Sequence, residues 1–362
     1  MHDCLIVGGG LIGMLTAREL ALGGLSVAII ERGTLGQEST WAGGGIISPL
    51  YPWRYPDPVT RLAAWSQQVY PSLAADIHRE SGVDPEWTQN GLLIVDSDEI
   101  DAARHWSVTS CSNLEIVSQQ TCRTLEPQLG SMADNPGIWL PDVAQVRNPR
   151  LIKAMRGSLA HLGVTVREQT EVQGLDIRDG QAAGVRLGRT EILLGGQVVV
   201  AGGAWTARLL QEYGHEVQVR PVRGQMLLYK TSPGLVSRIV LSKDRYVIPR
   251  RDGRVLVGST LEETGFEKIT TDDARHELEA EAARIIPILA DFPVEHHWAG
   301  LRPGTPAGIP YICEHPSVAR LYINAGHFRN GVVLGPASAR LLADQILGNR
   351  PILDLKPYNI CV

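Results

Sequence analysis

The sequence lacks several features that would each indicate a particular class of protein. Only 5 of its 362 residues are cysteine, and no two of them form a Cys-X-X-Cys pair. This scarcity argues against a disulfide framework and a zinc knuckle, favours a reducing compartment, and leads us to predict no metal site. The 34 basic and 39 acidic residues give a net charge of −5 without a long block of one sign, so we expect no nucleic-acid partner.

Long hydrophobic runs are also missing. The uncharged stretch from Cys4 to Ala17 is too short to span a bilayer, contains four glycines, and lacks the basic start and cleavage site of a signal peptide. We therefore expect a cytoplasmic protein without a membrane partner. The length suits two domains, or one large α/β domain with an insertion.

The first 31 residues alternate between apolar runs and a glycine-rich turn. Residues 4–7 form a short apolar run, GGGLIG follows at 8–13, a helical pattern extends over 11–22, and a second apolar run covers 26–30. Short apolar runs of this kind are typical of buried parallel strands. The order predicts a strand, a turn, a helix and a second strand.

The spacing within this unit indicates a dinucleotide site. Gly8 would permit the tight turn, Gly10 would let a pyrophosphate approach the backbone, and Gly13 would let the helix pack closely on the strand. Glu31 stands where a carboxylate would bind ribose hydroxyls. The motif alone fits NAD and FAD equally.

The segments after Glu31 favour FAD. A plain NAD domain would continue with further βα units, whereas residues 33–47 form a long loop of small residues that ends in three glycines. Ser39 and Thr40 in this loop could bond phosphate or ribitol oxygens. Later, a helix over 148–163 and a small meander of strands precede a returning strand at 197–200, as in FAD domains of the disulfide-reductase and hydroxylase type.

A last glycine-rich turn covers residues 325–331, between a strand at 321–324 and a helix predicted from about Pro336 to Leu347. The N-terminus of a helix there could face the pyrimidine end of a flavin and stabilise its anionic reduced form.

The middle of the chain has a different pattern. Residues 245–250 and 254–259 form a clear hairpin, and residues 270–292 form an amphipathic helix that Pro287 should kink or shorten. We predict the α/β fold class, with a Rossmann-like FAD-binding domain interleaved with an antiparallel-sheet substrate domain (α+β). The predicted boundaries are 1–80, 147–219 and 299–362 for the FAD-binding domain, and 81–146 and 220–298 for the substrate-binding domain.

With these residues in view, the chain resembles the D-amino-acid-oxidase family of flavoproteins. The matching stretches are GGGLIG, WAGGGI, RYVIPR, WAGLRPGTP, and GHFRNG with the helix that follows it, and the resemblance extends from Cys4 to about Gly348. The resemblance implies hydride transfer from a small amino acid to FAD, giving an imine that hydrolyses to a 2-oxo acid, such as glyoxylate from glycine. Molecular oxygen would then reoxidise the flavin to give hydrogen peroxide. The resemblance also implies a role in thiamine biosynthesis and a homo-oligomeric assembly, often a tetramer.

The resemblance further implies roles for individual residues. Arg302 would bind the carboxylate of the substrate. The hydroxyl of Tyr246 would be its partner in this role, and Arg329 would contact the substrate near the flavin ring. In addition to Gly8, Gly10 and Gly13, the cofactor-binding residues implied are Leu11, Ile12, Glu31, Arg32, Ser39, Thr40, Gly44, Gly45, Ile46, Val172, His327, Phe328, Arg329, Asn330, Gly331, Val332 and Val333.

The chemistry needs no catalytic acid or base from the protein, because the lone pair of the neutral amine assists loss of the α-hydrogen to the flavin. The resemblance also implies noncovalent FAD, because sarcosine-oxidase relatives carry a cysteine that bonds the flavin in the segment after this arginine, whereas here Cys313 lies several residues beyond Arg302. The residues do not rank glycine, sarcosine and small D-amino acids. Two alternatives stay open here: a dehydrogenase of the same fold that passes electrons to a quinone or carrier, and a non-catalytic FAD-binding partner protein.

Overall fold

The structure of the chain is a computed structural model that describes residues 1–131, 136–188 and 191–360. Its strands are β1 (His2–Val7), β2 (Val27–Ile30), β3 (Thr88–Gln89), β4 (Leu92–Val95), β5 (Glu115–Val117), β6 (Gly137–Leu140), β7 (Ala144–Gln145), β8 (Thr165–Arg167), β9 (Val172–Arg178), β10 (Gln181–Leu187), β11 (Glu191–Val200), β12 (Arg220–Lys230), β13 (Ile239–Ser242), β14 (Arg245–Pro249), β15 (Arg254–Gly258), β16 (Val294–Gly304), β17 (Tyr311–Glu314) and β18 (Leu321–Ala325). Its α-helices are α1 (Leu11–Leu22), α2 (Ser39–Ala42), α3 (Asp57–Ser81), α4 (Ile100–Ser110), α5 (Gln119–Leu125), α6 (Asn148–His161), α7 (Thr206–Leu210), α8 (Asp272–Ile285) and α9 (Gly331–Leu347).

The first sheet has the order β17-β18-β11-β1-β2-β8, and all of its neighbouring pairs are parallel except β17 with β18. The apolar runs of β1 and β2 are buried on both faces, as parallel strands between two layers must be. Helices α1, α3, α6 and α9 cover one face, and the β9–β10–β11 meander covers the other. The predicted Rossmann-like arrangement is confirmed.

Strand β11 belongs to both the sheet and the meander. Its first residues, 191–194, pair antiparallel with β10, and residues 195–200 pair parallel with β1. The predicted meander before a returning strand is therefore confirmed. Arg189, next to the second turn of this meander, lies outside the described residues.

The second sheet has the order β16-β12-β15-β14-β13-β4-β6-β5. It is mostly antiparallel, but β4 pairs parallel with β13, so two distant chain segments meet in one sheet. The boundary predicted between residues 298 and 299 falls within β16, which continues in this sheet as far as Gly304. Helix α8 packs on one face of the sheet.

Helix α9 begins at Gly331, five residues before the predicted start at Pro336, so that prediction of the helix start is wrong. A proline inside a helix has no N–H for the carbonyl four residues earlier, here that of Val332. The Tyr70 hydroxyl of α3 donates to this carbonyl at 2.7 Å and replaces the missing bond. Helix α8 ends at Ile285, just before Pro287, and Thr271 caps its start by accepting from the Ala274 amide.

The loop predicted over residues 33–47 also contains the single helical turn α2. No helix in the described part of the chain combines the length and apolarity needed to cross a membrane.

Candidate active site

Two connected cavities lie where the first sheet's parallel strands end. An outer cleft of about 470 Å³ lies beside the ends of β1, β2 and β11, and an inner pocket of about 150 Å³ extends towards the second sheet. They share Gly10, Ser39, Thr40, Ala201 and Gly203 as lining residues. In open α/β sheets, ligands bind outside the carboxyl ends of the strands.

The structure brings most predicted site residues to these cavities. In the outer cleft they are Gly8, Gly10, Glu31, Arg32, Ser39, Thr40 and Val172. In the inner pocket they are Gly10, Leu11, Ile12, Ser39, Thr40, Gly44, Gly45, Ile46, Tyr246, Arg302, His327, Phe328, Arg329, Gly331 and Val332.

Three predicted residues line neither cavity. Gly13 faces the preceding turn, Asn330 is buried beside the pocket, and Val333 is fully buried in the core of the first sheet. Most residues of the last turn therefore face the pocket, and Asn330 and Val333 do not.

The N-terminal glycines have the geometry that the motif predicts. A Cβ on Gly8, which has a φ of +111°, would overlap the Ala201 carbonyl, and a Cβ on Gly13 would overlap the Gly8 carbonyl. These contacts bring the start of α1 close to the end of β1. The Leu11 amide donates to Thr40 Oγ1 at 2.9 Å, which connects this helix start to α2.

Glu31 lines the outer cleft with both carboxylate oxygens already accepting. The Gly9 amide donates to Oε2 at 2.7 Å and the Gly33 amide to Oε1 at 2.8 Å. The carboxylate therefore fixes the glycine turn in addition to facing the place predicted for a ribose. Its remaining lone pairs can still accept from hydroxyl groups.

A strap from the second sheet, defined here as residues 262–268, crosses to the outer cleft. Phe266 packs against Trp205 with ring centroids 5.5 Å apart. The Arg32 guanidinium lies 3.7 Å from the centroid of the Trp205 ring and pairs with Glu38 at 3.1 Å. Lys268 pairs with the same Glu38 at 2.7 Å, so the strap contacts Trp205 and Glu38, two residues that line the cleft.

Arg302 enters the inner pocket from β16. Its guanidinium donates to Ser259 Oγ at 2.8 Å and to the carbonyls of Arg223 and Thr260, each at 3.2 Å. A Cβ on Gly224, on the neighbouring strand β12, would overlap this guanidinium, so glycine there creates the space for it.

The electrostatics of Arg302 require an anion. Burial lowers the pKa of its guanidinium. Among the described residues, no carboxylate forms an ion pair with Arg302 or with its neighbour Arg329. Both side chains are partly buried, and a partly buried charge without a counter-ion is costly, so these two cations favour a negatively charged ligand in the pocket.

Tyr246 completes this group from β14. Its side chain is buried and lines the pocket, with the hydroxyl 3.7 Å from Met226 Sδ. The structure therefore places all three predicted substrate residues around one pocket.

His327 lies at the bottom of the pocket and is nearly fully buried. Its Nε2 is 2.9 Å from Ser338 Oγ on α9. Burial lowers the pKa of His327 to about 3, so the imidazole is neutral near neutral pH. It therefore serves as a hydrogen-bonding residue, and no proton transfer is assigned to it.

This shifted pKa predicts a dependence of stability on pH. The unfolded chain takes up a proton on His327 below pH 6.5, whereas the folded chain does not until about pH 3. Unfolding is therefore favoured as pH falls through this range. Between pH 6.5 and pH 5, the free energy of unfolding should fall by about 2 kcal/mol through this group.

Urea unfolding of the protein and of His327→Gln at both pH values measures this effect. The variant should lose less stability than the wild type on acidification, because its side chain does not titrate. Equal losses in both proteins would assign the pH dependence to other groups.

Sequence reasoning missed several residues of the site. Trp205, Met226 and Ser259 line the cavities, and Gly224 makes room for the guanidinium of Arg302. Only Trp205 had a sequence signal, because it follows directly on the glycine turn after β11. Among the described lining residues of both cavities none is a cysteine, and Cys313 is buried on β17.

Known proteins resemble this chain over nearly its whole length. The family model described as FAD dependent oxidoreductase matches residues 3–345. Glycine oxidase of Pseudomonas aeruginosa is 49% identical over 355 residues, covering 98% of this chain and 97% of that protein. Glycine oxidase of Pseudomonas putida is 44% identical over 358 residues, covering 98% and 96%. The crystal structure of glycine oxidase from Geobacillus kaustophilus superposes with a TM-score of 0.92 at 29% identity, covering 99% and 98%.

Proposed function

The chain belongs to the FAD dependent oxidoreductase family, and on that premise we propose that it oxidises glycine and similar small amines such as sarcosine and small D-amino acids. The products would be the imine, then glyoxylate or another 2-oxo acid with ammonia or an amine, and hydrogen peroxide from molecular oxygen. The observation that carries this proposal is the partly buried guanidinium of Arg302, which faces the inner pocket without a carboxylate partner among the described residues.

The described residues fit FAD, the cofactor of this family. Gly10 has no side chain to cap the first turn of α1, and although the Leu11 amide donates to Thr40, the amides of Ile12 and Gly13 have no acceptor among the described residues and are open to an anionic diphosphate at the junction of the two cavities. A Cβ on Gly10 would have only Thr40 Oγ1 nearby, at 3.5 Å, so the space beside it is open. Glu31 and Arg32 would hold the adenosine side, and the loop from Gly44 to Ile46 would lie along the ring. When bound, FAD supplies a two-electron acceptor for a hydride.

The chain's own task is to bind and orient the amine. A guanidinium presents two parallel N–H groups to a carboxylate, so Arg302 can fix both oxygens of an amino acid. The hydroxyl of Tyr246, on β14, can donate to the same carboxylate. Arg329, which also lines the pocket near Arg302, adds a second positive charge that attracts the anionic end of the substrate.

No carboxylate or lysine lines the described part of the inner pocket, and His327 is neutral and bonded to Ser338. The chain therefore has no obvious general base beside the substrate. Orientation of the neutral amine would supply much of the rate, as holding reactants in the correct geometry commonly does.

The inner pocket would be shared by the flavin ring and the substrate, because the loop from Gly44 to Ile46 lines the same cavity as Arg302 and Tyr246. This sharing favours a small substrate. One extra methylene in a pocket changes binding by only about 1–3 kcal/mol. We therefore propose glycine as a substrate together with sarcosine and D-alanine, without ranking them.

An anaerobic titration of the purified holoenzyme with glycine, sarcosine and D-alanine tests the proposal. Bleaching of the visible flavin bands is expected, and admission of air should restore them with one hydrogen peroxide formed per flavin. Bleaching by amines with reoxidation only by a quinone dye would instead indicate a dehydrogenase. A flavin that no small amine bleaches would contradict the proposal and favour a non-catalytic partner protein.

Three finer statements belong to the same proposal. We propose a cytoplasmic location, a homo-oligomeric assembly such as a tetramer, and a place in thiamine biosynthesis. These statements are supported by the resemblance and by the composition. Size-exclusion chromatography with light scattering measures the oligomeric state.

A further inference from the structure

Arg250 is a buried arginine that the predicted site does not include. It follows directly after β14, and only 8% of its surface is exposed. Its Nη2 donates to the Gly44 carbonyl at 2.7 Å. Its Nη1 donates to Gln145 Oε1 at 2.5 Å and to the Val146 carbonyl at 3.0 Å. All of these acceptors are neutral, and among the described residues no carboxylate forms an ion pair with this guanidinium.

The contact with Gly44 fixes the orientation of one peptide group. In a trans peptide, the carbonyl of one residue and the N–H of the next point in opposite directions. Because Arg250 holds the Gly44 carbonyl, the Gly45 N–H points away from Arg250. Gly45 lines the inner pocket, and its amide has no acceptor among the described residues.

Gly45 is also held from a second side. Its φ of +78° is in the left-handed region, and a Cβ there would overlap the Val146 carbonyl. The Val146 amide donates to the Gly45 carbonyl at 2.9 Å. Arg250 donates to the Val146 carbonyl, so one guanidinium bonds both chain segments that meet at this turn.

The strand before Arg250 supports the same glycine. Residues two apart on a strand face the same side. A Cβ on Gly44 would lie 2.8 Å from Ile248 Cδ1 and 3.4 Å from Tyr246 Cε2. Thus Tyr246, Ile248 and Arg250 all approach Gly44, and one face of β14 adjoins both the substrate tyrosine and the glycine loop.

We infer that Arg250 is a positioning residue for the cofactor, which orients the Gly44–Gly45 peptide so that the Gly45 N–H is presented to the flavin. The inference rests on the family's cofactor and is independent of which amine is oxidised. It explains why a charged side chain is buried behind a loop without an anion to pair with it. Such burial is costly unless the hydrogen bonds made are specific and complete.

Arg250 remains charged in this environment. Burial and the nearby Arg147 lower the pKa of Arg250 to about 10, which still leaves it protonated at neutral pH. Its donors are therefore available throughout the usual assay range.

The test measures FAD affinity directly, by quenching of flavin fluorescence as apoprotein of each variant is titrated into FAD. Arg250→Met should raise the dissociation constant of FAD by about 30-fold, since it removes hydrogen bonds from a charged donor. Arg250→Lys keeps the charge but loses some of the N–H donors of the guanidinium, and should raise the dissociation constant of FAD by about 5-fold.

Arg251→Met is the matched control. Arg251 is the next residue along the chain, its side chain is 48% exposed, and it pairs with Asp84 at 2.8 Å on the surface. This variant should bind FAD within about twofold of the wild type, as surface pairs contribute little.

Two further measurements separate positioning from general stability. The glycine KM of Arg250→Lys should stay near that of the wild type while kcat falls, because the carboxylate site is untouched. Melting of the apoproteins shows whether the variants fold. Unchanged FAD affinity in folded Arg250→Met would overturn the inference, and if that variant does not fold, unchanged affinity in Arg250→Lys would do so. Neither affinity measurement requires that glycine be a substrate.

Discussion

Replacing Arg302 by methionine should lower kcat/KM for glycine by about 100-fold or more while FAD stays bound. The variant keeps an apolar stem of similar length but loses the charged guanidinium. Its loss leaves the substrate carboxylate in a buried pocket without its counter-ion, and breaking such a pair costs about 3–5 kcal/mol. Arg302→Lys retains the charge without two-point geometry, so an intermediate loss is expected.

Steady-state kinetics at several glycine concentrations give kcat/KM, and the visible spectrum of each variant gives its content of bound FAD. Arg220→Met is a suitable control, because Arg220 lies on β12 opposite Gly304 but points its charge to a surface pair with Glu263 at 3.0 Å. If Arg302→Met kept the wild-type kcat/KM, the assignment of the carboxylate site would be wrong.

Alanine at Gly10 and at Gly13 should separate cofactor binding from folding. Gly10 has a φ of −70° and a ψ of 177°, which suit alanine, and a Cβ there has ordinary room beside Thr40 Oγ1 at 3.5 Å. The added methyl would occupy the junction of the cavities. We therefore expect Gly10→Ala to weaken FAD binding by about 1–3 kcal/mol, or about 5- to 150-fold, without loss of apoprotein stability.

Gly13→Ala should lower both the affinity for FAD and the stability of the apoprotein. A Cβ on Gly13 would overlap the Gly8 carbonyl, so α1 must move away from the end of β1. Apoprotein melting temperatures and FAD titrations of the two variants provide the comparison. An apoprotein of Gly10→Ala that melts as low as that of Gly13→Ala would contradict the view that Gly10 serves the ligand and Gly13 the packing.

The parts of the site that sequence predicted are those whose geometry is local. The close approach of Gly13 to the Gly8 carbonyl lies within a few residues, so the spacing of the glycines reveals it, although Gly8 also approaches the distant Ala201. Arg302 and Tyr246 came from motif resemblance, because neither has a local pattern that distinguishes it from a structural arginine or a core tyrosine. The structure adds that both side chains face one pocket.

The parts that sequence could not predict depend on distant partners. The carbonyl that Pro336 leaves free is satisfied by Tyr70, far away in the sequence, so a local rule placed the start of α9 too late. The bond from Arg250 to Gly44 joins residues that are 206 positions apart. Even Glu31, in its predicted place, has a second task that only the fold shows, since it accepts from the amides of Gly9 and Gly33.

The inner pocket is assembled from both ends of the chain. Its lining begins at Gly10 and ends at Val332, and the strand that precedes its last turn, β18, pairs with β11 in the middle of the first sheet. On a translating ribosome the pocket therefore cannot close until the segment through Val332 has left the exit tunnel. Full enclosure of the cofactor therefore follows synthesis of the segment through Val332, and the nascent chain up to that point must persist without it.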